Sequence, residues 1–469
     1  MQEILFAYLV IRFAYPVPGR AAAILSRKPK TYLITMKKVN MLTLVFSGIL
    51  LLACKLSNDV NPGTNGKKPL LAGYSNQVVL DWNQMAYEAM GGPAYQHSLL
   101  ASRINAMVHL AMHDALNSIA PAYQTYAFYR QDAEAEPIAA AASAAHAVLA
   151  ASFPDKKARL DSALTQSLAK LPTGDRYNRG IALGKEAAAA ILAQRQNDGA
   201  LQDPIALIEP TVQPGEYQVV TPFAFIFAPF WKQMQPFGLK SPDQFRVAPQ
   251  PALISQEYAR DFEEVKTVGV KDSKTRTADQ TAYGKFWYEF SEAGWNRVAR
   301  AALAGRKLDL LATARLFALV NIAMADAYTA GWESKFHYNF WRPLTAIQKA
   351  DTDGNETTTA DANWEPLMPT PPVQDYPSTH SALGNAAATV LVNILGDKTG
   401  FSMSSPTADP VTPTRSFKSF SQAAQENADS RVRVGIHFRF SCKAGLDMGG
   451  KIGQWTIDNY LKPKATALR

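Results

Sequence analysis

From about residue 79 onward, apolar residues recur every three or four positions, and this spacing is the feature that most restricts the fold. It is clearest in residues 101–119, where the apolar side chains are Ile104, Met107, Val108, Leu110, Met112, Ala115 and Leu116. Similar spacing returns in residues 158–171, 179–195, 255–265 and 308–333. The sequence shows neither a convincing series of strands nor a repeat of fixed period. We therefore predict an all-α protein built as a helical bundle.

Two segments interrupt the helical pattern and are predicted to be long loops. Residues 203–250 are rich in proline and aromatic residues, which favours an ordered loop that crosses the bundle surface or borders a pocket. Residues 350–377 are rich in turn-forming residues. A helix is predicted to follow, beginning near Ser378 and ending at Gly396, and the last helices are predicted at about 418–429 and 444–460.

The distribution of charge and cysteine excludes several classes of function. The 469-residue chain has a formal net charge of +8, but residues 1–53 contain seven Lys/Arg and one acid and so carry +6 of it. The remainder is nearly neutral, so a nucleic-acid-binding surface is not indicated. Cys54 and Cys442 are the two cysteines. They are too few and too distant for a disulfide framework, a paired-cysteine zinc site or an iron–sulfur cluster.

Residues 36–54, MKKVNMLTLVFSGILLLAC, have the form of an export signal. The ending resembles a bacterial lipoprotein box, in which Cys54 would be lipidated and become the mature N-terminus; the alternative is an uncleaved membrane anchor, for which the apolar run is short. We expect residues 1–35 to be mis-assigned upstream sequence, 36–53 a signal peptide, 54–78 a lipidated cysteine with a flexible tether, and 79–469 the catalytic domain. The expected location is the bacterial cell envelope, periplasmic or at the cell surface, with membrane contact through the lipid alone.

The motif KFHYNFWRP, residues 335–343, brings two cations together. Lys335 and Arg342 are separated by nearly two helical turns, so we predict that both lie on one helix face. Pro343 marks a boundary and disfavours a helical conformation for Arg342. The aromatic neighbours of the pair favour an anion site in a semi-buried pocket; the alternative is a solvated basic face.

The motif Pro377-Ser378-Thr379-His380 opens the helix that ends at Gly396. A helix N-terminus presents unpaired N–H groups and positive dipole to an anion, and Ser378 adds a hydroxyl donor. His380, in the first turn, can exchange protons with a bound ligand. The alternative is an ordinary serine N-cap beside a surface histidine.

The third motif, SRVRVGIH, covers residues 430–437. Arg431 offers a planar guanidinium that matches the oxygens of an oxyanion. Gly435 allows the backbone to turn, so that His437 can face the same space. The alternative for His437 is a core histidine with satisfied hydrogen bonds.

In this order, K-x6-RP, PS-x-H and SR-x5-H resemble the three-part signature of the vanadium-dependent haloperoxidase and type 2 phosphatidic acid phosphatase superfamily. The stretch RINAMVHLAMHDALNSI, residues 103–119, is also similar to the N-terminal helical part of bacterial haloperoxidase-like proteins. The resemblance thus extends over most of residues 79–469, and it places the site in 330–445. It implies an all-helical fold of the haloperoxidase and acid phosphatase type.

The resemblance also implies vanadate as cofactor and a role for each motif residue. Those that would bind the equatorial oxygens are Lys335, Arg342, Ser378, the backbone N–H of Thr379, and Arg431. His437 would be the axial ligand of vanadium, His380 the acid–base residue, and Lys335 a second catalytic group that polarises the bound oxidant.

Two residues depart from the family's pattern. The family usually has glycine where this chain has Thr379, and the added side chain is expected to narrow the pocket. It usually has an acid four residues after the last histidine, where this chain has Ser441. Such an acid would orient the imidazole and raise its basicity, so we expect lower vanadate affinity or turnover without it.

The implied function is vanadate-dependent oxidation of a halide by hydrogen peroxide to a hypohalous-acid equivalent, with vanadium acting as a Lewis acid. A second hypothesis is an acid phosphatase, in which His437 attacks phosphorus and forms a phosphohistidine while His380 protonates the leaving oxygen. A third is a non-catalytic oxyanion-binding lipoprotein, which Thr379 and Ser441 motivate.

Overall fold

The computed structural model describes residues 71–464, apart from 95–96, 307 and 410–413. In this part of the chain there are thirteen α-helices. They are α1 (Gln77–Ala89), α2 (Ser98–Ile119), α3 (Pro137–Ser152), α4 (Lys157–Leu168), α5 (Asp175–Gln194), α6 (Gln256–Gly269), α7 (Ala278–Phe286), α8 (Ser291–Leu303), α9 (Leu310–Tyr338), α10 (Pro343–Gln348), α11 (Thr379–Leu395), α12 (Phe420–Arg433) and α13 (Arg439–Asn459). The all-α fold is confirmed.

Short antiparallel strand pairs accompany the helices. The first pair joins β1 (Ile205–Ala206) to β2 (Ile226–Phe227), and the second joins β3 (Phe401–Met403) to β4 (Arg415–Phe417). The predicted signal peptide and the lipidation site at Cys54 lie outside the described residues, so these remain predictions.

The long helix α9 runs through the core of the bundle. By length and composition it could cross a membrane, but 89% of its most apolar window is buried inside the fold, as expected of a core helix. Asp309 caps its start by accepting a hydrogen bond from the Ala312 N–H at 2.8 Å. It ends at Asn339, which has a left-handed φ of 49°, a conformation that asparagine tolerates better than most residues.

Helices α11 and α13 lie side by side because small residues let their backbones approach. Gly445, Gly449 and Gly453 repeat every four residues on α13 and face α11. A Cβ added at Gly449 would collide with the carbonyl oxygen of Ala382, and one at Gly453 would lie 2.7 Å from the carbonyl oxygen of Ala386. These contacts fix the position of the helix that begins with the PSTH motif.

A buried polar junction ties the N-terminal helices to α9. The Nδ2 of Asn83 lies 2.8 Å from Nε2 of His109 and donates to Asn296 Oδ1 at 2.7 Å, and Asn296 in turn donates to Asn321 Oδ1 at 2.8 Å. Burial lowers the pKa of His109 to about 3, which keeps its ring neutral. His109 and His113 have the spacing of a zinc pair, but among the described residues no cluster suited to a metal is found.

The loop over 203–250 packs along α9 and reaches the first motif. Asp326 of α9 accepts backbone hydrogen bonds from Phe237, Gly238 and Leu239 at 2.6, 2.7 and 3.0 Å. The Trp341 N–H donates to the Gly215 carbonyl at 2.9 Å. The loop therefore borders the region of the motif residues, as its composition suggested.

We expect G449A to lower the free energy of unfolding by about 2 kcal/mol, because the added methyl collides with a backbone oxygen that cannot move without shifting α11. Urea unfolding of the purified protein measures this change.

The matched control is G450A, the next residue of the same helix. A Cβ there meets the side-chain nitrogen of Asn385 at 3.1 Å, which a small side-chain movement can relieve, and alanine favours the helix by about 1 kcal/mol over glycine. Equal destabilisation by the two variants would contradict the close-approach interpretation.

Candidate active site

Ser378 caps α11 and places the start of that helix in the fold. Its N–H donates to the Ser441 carbonyl at 3.0 Å, which anchors the segment before the helix to α13. Its hydroxyl oxygen accepts from the Ser381 N–H at 3.4 Å and from the Ser381 hydroxyl at 3.0 Å. Both contacts use acceptor capacity, so the Ser378 hydroxyl proton can still be donated to a ligand.

Thr379 is the first residue of α11, and an N–H at this position has no acceptor within the helix. The family glycine is replaced here, and the structure shows where the extra atoms lie. A Cβ on Gly331 of α9 would collide with the Thr379 methyl, so the threonine side chain lies directly against that glycine. Gly331 thus makes room for Thr379 one helical turn before Lys335.

Lys335 lies in the last turn of α9 and is fully buried. Its Nζ donates to the carbonyls of Gln374 and Asp375 at 2.6 and 2.8 Å, which leaves one of its three protons for a further acceptor. Burial, with repulsion from Arg342, holds the pKa of Lys335 well below its usual range.

Arg342 does not share a helix face with Lys335, so that prediction is wrong. The helix ends at Tyr338, Asn339 reverses the chain, and Arg342 is extended with ψ 156° ahead of Pro343, as the proline ring requires. The two cations nevertheless converge on one segment. Arg342 donates from Nε to the Val373 carbonyl at 2.7 Å, next to the carbonyls that hold Lys335.

Arg431, in the last turn of α12, is 1% exposed and incompletely bonded. Its Nε donates to the Ser430 hydroxyl at 3.2 Å, and its guanidinium carbon lies 5.6 Å from the centre of the Tyr288 ring. Among the described residues its Nη2 has no hydrogen-bond partner. Burial lowers the pKa of Arg431 to about 10, but the group stays charged at neutral pH. A buried, unpaired guanidinium nitrogen is costly, and an anion would satisfy it.

His437 follows Gly435, whose φ of +82° allows the predicted turn of the backbone. The Nε2 of His437 lies 3.0 Å from Nη1 of Arg342. Because a guanidinium can only donate, Nε2 must carry a lone pair, and a neutral ring then has its proton on Nδ1. Burial and then the surrounding groups, Arg342, Lys335, Arg431 and His380, hold the pKa of His437 well below its usual range.

His380, in the first turn of α11, has the opposite tautomer. Its Nε2 lies 2.9 Å from the carbonyl oxygen of Glu289, so Nε2 carries the proton and Nδ1 is left with a lone pair. Burial, followed by repulsion from Arg431, holds the pKa of His380 well below its usual range. A neutral imidazole with a free lone pair is suited to accept a proton from a ligand.

Asp375 is a site residue that the sequence analysis missed. It is completely buried, and its Oδ1 lies 2.8 Å from Nδ1 of His437 and 3.9 Å from Nη1 of Arg342. Burial raises the pKa of Asp375 to about 6, against the opposite effect of Arg342 and Lys335, so the carboxylate is charged at neutral pH. The signal available was an acid just before the PSTH motif, in a segment interpreted as a turn-rich loop.

Two further side chains complete the surroundings of the motifs. Ser441, where the family has an acid, donates its hydroxyl proton to the Asp375 carbonyl at 3.1 Å and so supports the segment that carries Asp375. Cys442 has a buried thiol, and burial raises its pKa to about 12.

His337 of the first motif lies outside this group. It is exposed in the last turn of α9 and lies against Tyr338, with ring centroids 4.7 Å apart.

The arrangement is a small, buried cationic site, which we call the pocket. Lys335, Arg342 and Arg431 reach it from three parts of the chain, the start of α11 adds backbone and hydroxyl donors, and two neutral imidazoles lie close enough for His380 to influence the pKa of His437. Such a set of donors suits a tetrahedral oxyanion.

Comparison with known proteins identifies the same region. The family described as "VCPO second helical-bundle domain" matches residues 315–463, which contain all three motifs. Vanadium chloroperoxidase of Curvularia inaequalis is 24% identical over 499 residues that cover 80% of each chain.

Solved structures agree over a larger part of the chain. A bacterial vanadium-dependent iodoperoxidase superposes with a TM-score of 0.72 at 25% identity, covering 83% of this chain and 98% of that one. An apo-type bacterial vanadium-dependent chloroperoxidase superposes with a TM-score of 0.64 at 17% identity, covering 76% and 92%, which supports the fold. Fold, pocket and relatives agree: the region that holds the three motifs matches the second helical-bundle domain of the vanadium chloroperoxidase family, and the chain is similar to vanadium-dependent haloperoxidases over most of its length.

Proposed function

We propose that this protein is a vanadate-dependent haloperoxidase that oxidises a halide with hydrogen peroxide to a hypohalous-acid equivalent. One observation carries the proposal: a buried guanidinium nitrogen of Arg431 has no partner among the described residues, in a pocket where His437 keeps a lone pair on Nε2. The pocket thus combines a guanidinium nitrogen that lacks an acceptor with an imidazole nitrogen whose lone pair, which accepts from Arg342 in the structure, could bind a metal once Arg342 turns to the anion.

The residues present fit vanadate. Lys335 has one proton left after its two carbonyl contacts, Ser378 can donate its hydroxyl proton, and Thr379 adds a backbone N–H at the helix start. With Arg342 and Arg431 these groups would hold the oxygens of vanadate, and His437 Nε2 would bind the vanadium. Several cations are needed because the oxyanion carries more than one negative charge.

Two side chains would act on the reaction itself. When bound, vanadate supplies a Lewis-acid centre that activates hydrogen peroxide without changing oxidation state. His380 takes a proton from the incoming peroxide on its free Nδ1 and later returns it, so that hydrogen peroxide, halide and a proton give hypohalous acid and water. Lys335, which is buried and has one proton left after its two carbonyl contacts, would donate that proton to the bound oxidant and so favour attack by the halide. The halide is oxidised and the peroxide oxygens are reduced.

The relatives favour halide oxidation over phosphate transfer. The curated relative is a chloroperoxidase, and the structural neighbour with the higher TM-score reported above is an iodoperoxidase. The phosphatase hypothesis uses the same atoms, because the lone pair on His437 Nε2 is equally able to attack phosphorus. Phosphate and vanadate have similar shapes, so an assay must separate the two reactions.

We expect purified protein reconstituted with orthovanadate to show peroxide-dependent bromination or iodination. H380A should lower the rate by about 100-fold or more, because it removes the group that transfers the proton. H437A should abolish the vanadate-dependent activity, because it removes the proposed vanadium ligand. Monochlorodimedone bromination and triiodide formation are suitable measurements.

The control is H337A, which removes an exposed histidine of the first motif and should leave the rate within about twofold of wild type. Phosphomonoester hydrolysis in the absence of vanadate, together with no halogenation, would overturn the proposal in favour of a phosphatase. Tight vanadate binding with neither activity would instead indicate an oxyanion-binding protein.

We expect R431Q to weaken orthovanadate binding by about 10-fold to 100-fold, since a charge-assisted hydrogen bond is worth about 1.5–3 kcal/mol. The ligand-free variant should be at least as stable as wild type, because the substitution removes an unpaired buried charge. Isothermal titration calorimetry and urea unfolding measure the two quantities.

R433Q is the matched control, because Arg433 lies on the same helical turn but pairs with Asp429 at 3.0 Å, with 17% of its side chain exposed. We expect R433Q to lower stability slightly and to keep vanadate affinity. If R431Q lost stability but bound vanadate normally, Arg431 would be a structural residue.

We also propose that the protein acts in the bacterial cell envelope, held by lipid on Cys54, on the support of the signal-like residues 36–54. Mass spectrometry of the N-terminal peptide from bacterial membranes should show a lipidated cysteine, and C54S should release the protein from that fraction. An unmodified Cys54 in membrane-bound protein would refute the lipid anchor.

A further inference from the structure

The departure at Ser441 leaves His437 without the acid that its family usually places four residues later. The structure has an acid beside the same ring, and it comes from a different element. Asp375 precedes α11 by four residues, and its Oδ1 lies 2.8 Å from Nδ1 of His437. Ser441 contacts the backbone of that residue and supplies no charge of its own.

The carboxylate of Asp375 is held in place through its backbone. Its N–H donates to the Phe340 carbonyl at 2.9 Å, and its carbonyl accepts from Lys335 Nζ at 2.8 Å and from the Ser441 hydroxyl at 3.1 Å. The main chain at Asp375 thus connects the first motif to α13. These contacts fix the backbone from which the carboxylate reaches His437.

By strict hydrogen-bond geometry neither carboxylate oxygen of Asp375, nor Nδ1 of His437, has a partner among the described residues. The Ser441 hydroxyl and the Phe438 N–H lie near the carboxylate and help to lower the pKa of Asp375 against the effect of burial. The N···O distance between Asp375 and His437 is that of a hydrogen bond. Arg342 occupies Nε2 from the other side, so the ring proton belongs on Nδ1, facing the carboxylate.

We propose that Asp375 is the positioning residue of His437, taking over from the segment before α11 the role that Ser441 cannot fill. It keeps the proton on Nδ1 and raises the basicity of Nε2, so it strengthens the bond from Nε2 to vanadium. The inference rests on the proposed function, because that bond is the one the haloperoxidase hypothesis assigns to His437.

The substitution D375N removes the charge of Asp375 and keeps its shape. A role of Asp375 as a repelling charge and a role as the positioning residue of His437 predict opposite changes in vanadate affinity for this variant. A carboxylate near an anion pocket repels every anion, so loss of the charge alone should tighten binding of both phosphate and vanadate. If Asp375 acts through His437, D375N should weaken vanadate binding by about 10-fold to 100-fold. Phosphate, held by cations and hydrogen bonds without a bond to Nε2, should bind as well as before or better.

The experiment compares the affinities of wild-type protein and D375N for orthovanadate and for inorganic phosphate by isothermal titration calorimetry. The rescue variant D375N/S441D places an acid on α13 instead, and it should recover most of the vanadate affinity. If both anions bind more tightly to D375N, the proposal is refuted. It is refuted too if D375N loses affinity for both anions to the same extent, which would indicate a structural role.

A measurement on wild-type protein covers the case in which D375N does not fold. Nitrogen-15 NMR of histidine-labelled protein should show His437 with its proton on Nδ1, and a proton on Nε2 would overturn the proposal. Failure of the proposed function can be distinguished from failure of the role of Asp375. Selective loss of vanadate affinity in D375N, in a protein that oxidises no halide, would remove the haloperoxidase hypothesis and leave the role of Asp375 in place.

Discussion

Burial of three positive charges at one site is the constraint on which the pocket depends. Lys335, Arg342 and Arg431 are each at most 1% exposed, and moving such ions out of water costs several kcal/mol apiece. Backbone carbonyls from the segment before α11 and from Ile436 offset part of that cost for Lys335 and Arg342. Arg431 receives the least compensation from hydrogen-bond acceptors, and burial lowers its pKa to about 10. The ligand-free pocket is therefore prepared for an anion at the expense of its own stability.

Rigid backbone contacts make that arrangement possible. The glycines of α13 bring its axis close to α11, and Gly331 of α9 accepts the side chain of Thr379. The helix start that supplies Ser378 and the Thr379 N–H is thus held from two sides. Because these contacts involve glycine backbone and a short β-branched side chain rather than long flexible side chains, the donors are positioned before a ligand arrives, which lowers the cost of binding.

Much of the fold and of the site could be predicted from sequence, because helical periodicity and helix-start signals are local. The helix from Thr379 to Leu395, with Ser378 as its cap and Gly396 at its end, agrees with the prediction. The prediction that Lys335 and Arg342 share one helix face failed because Asn339, between them, adopts a left-handed conformation that ends the helix. Asparagine occurs in both right-handed and left-handed conformations, so its presence alone did not predict this end. Helices α1, α7, α8 and α10 were not predicted. Asp375 was missed because its partner, His437, is distant in sequence and depends on tertiary packing.

If the pocket makes hypohalous acid, as we propose, the burial of the Cys442 thiol has a consequence. Sulfur reacts with such electrophiles chiefly as thiolate, and a pKa of about 12 leaves almost none of that form. The cysteine is 1% exposed, and halogen transfer to its sulfur would disrupt the packing around it. Burial would keep the thiol from consuming the oxidant. The packing that buries the cations would then also protect the protein over many turnovers.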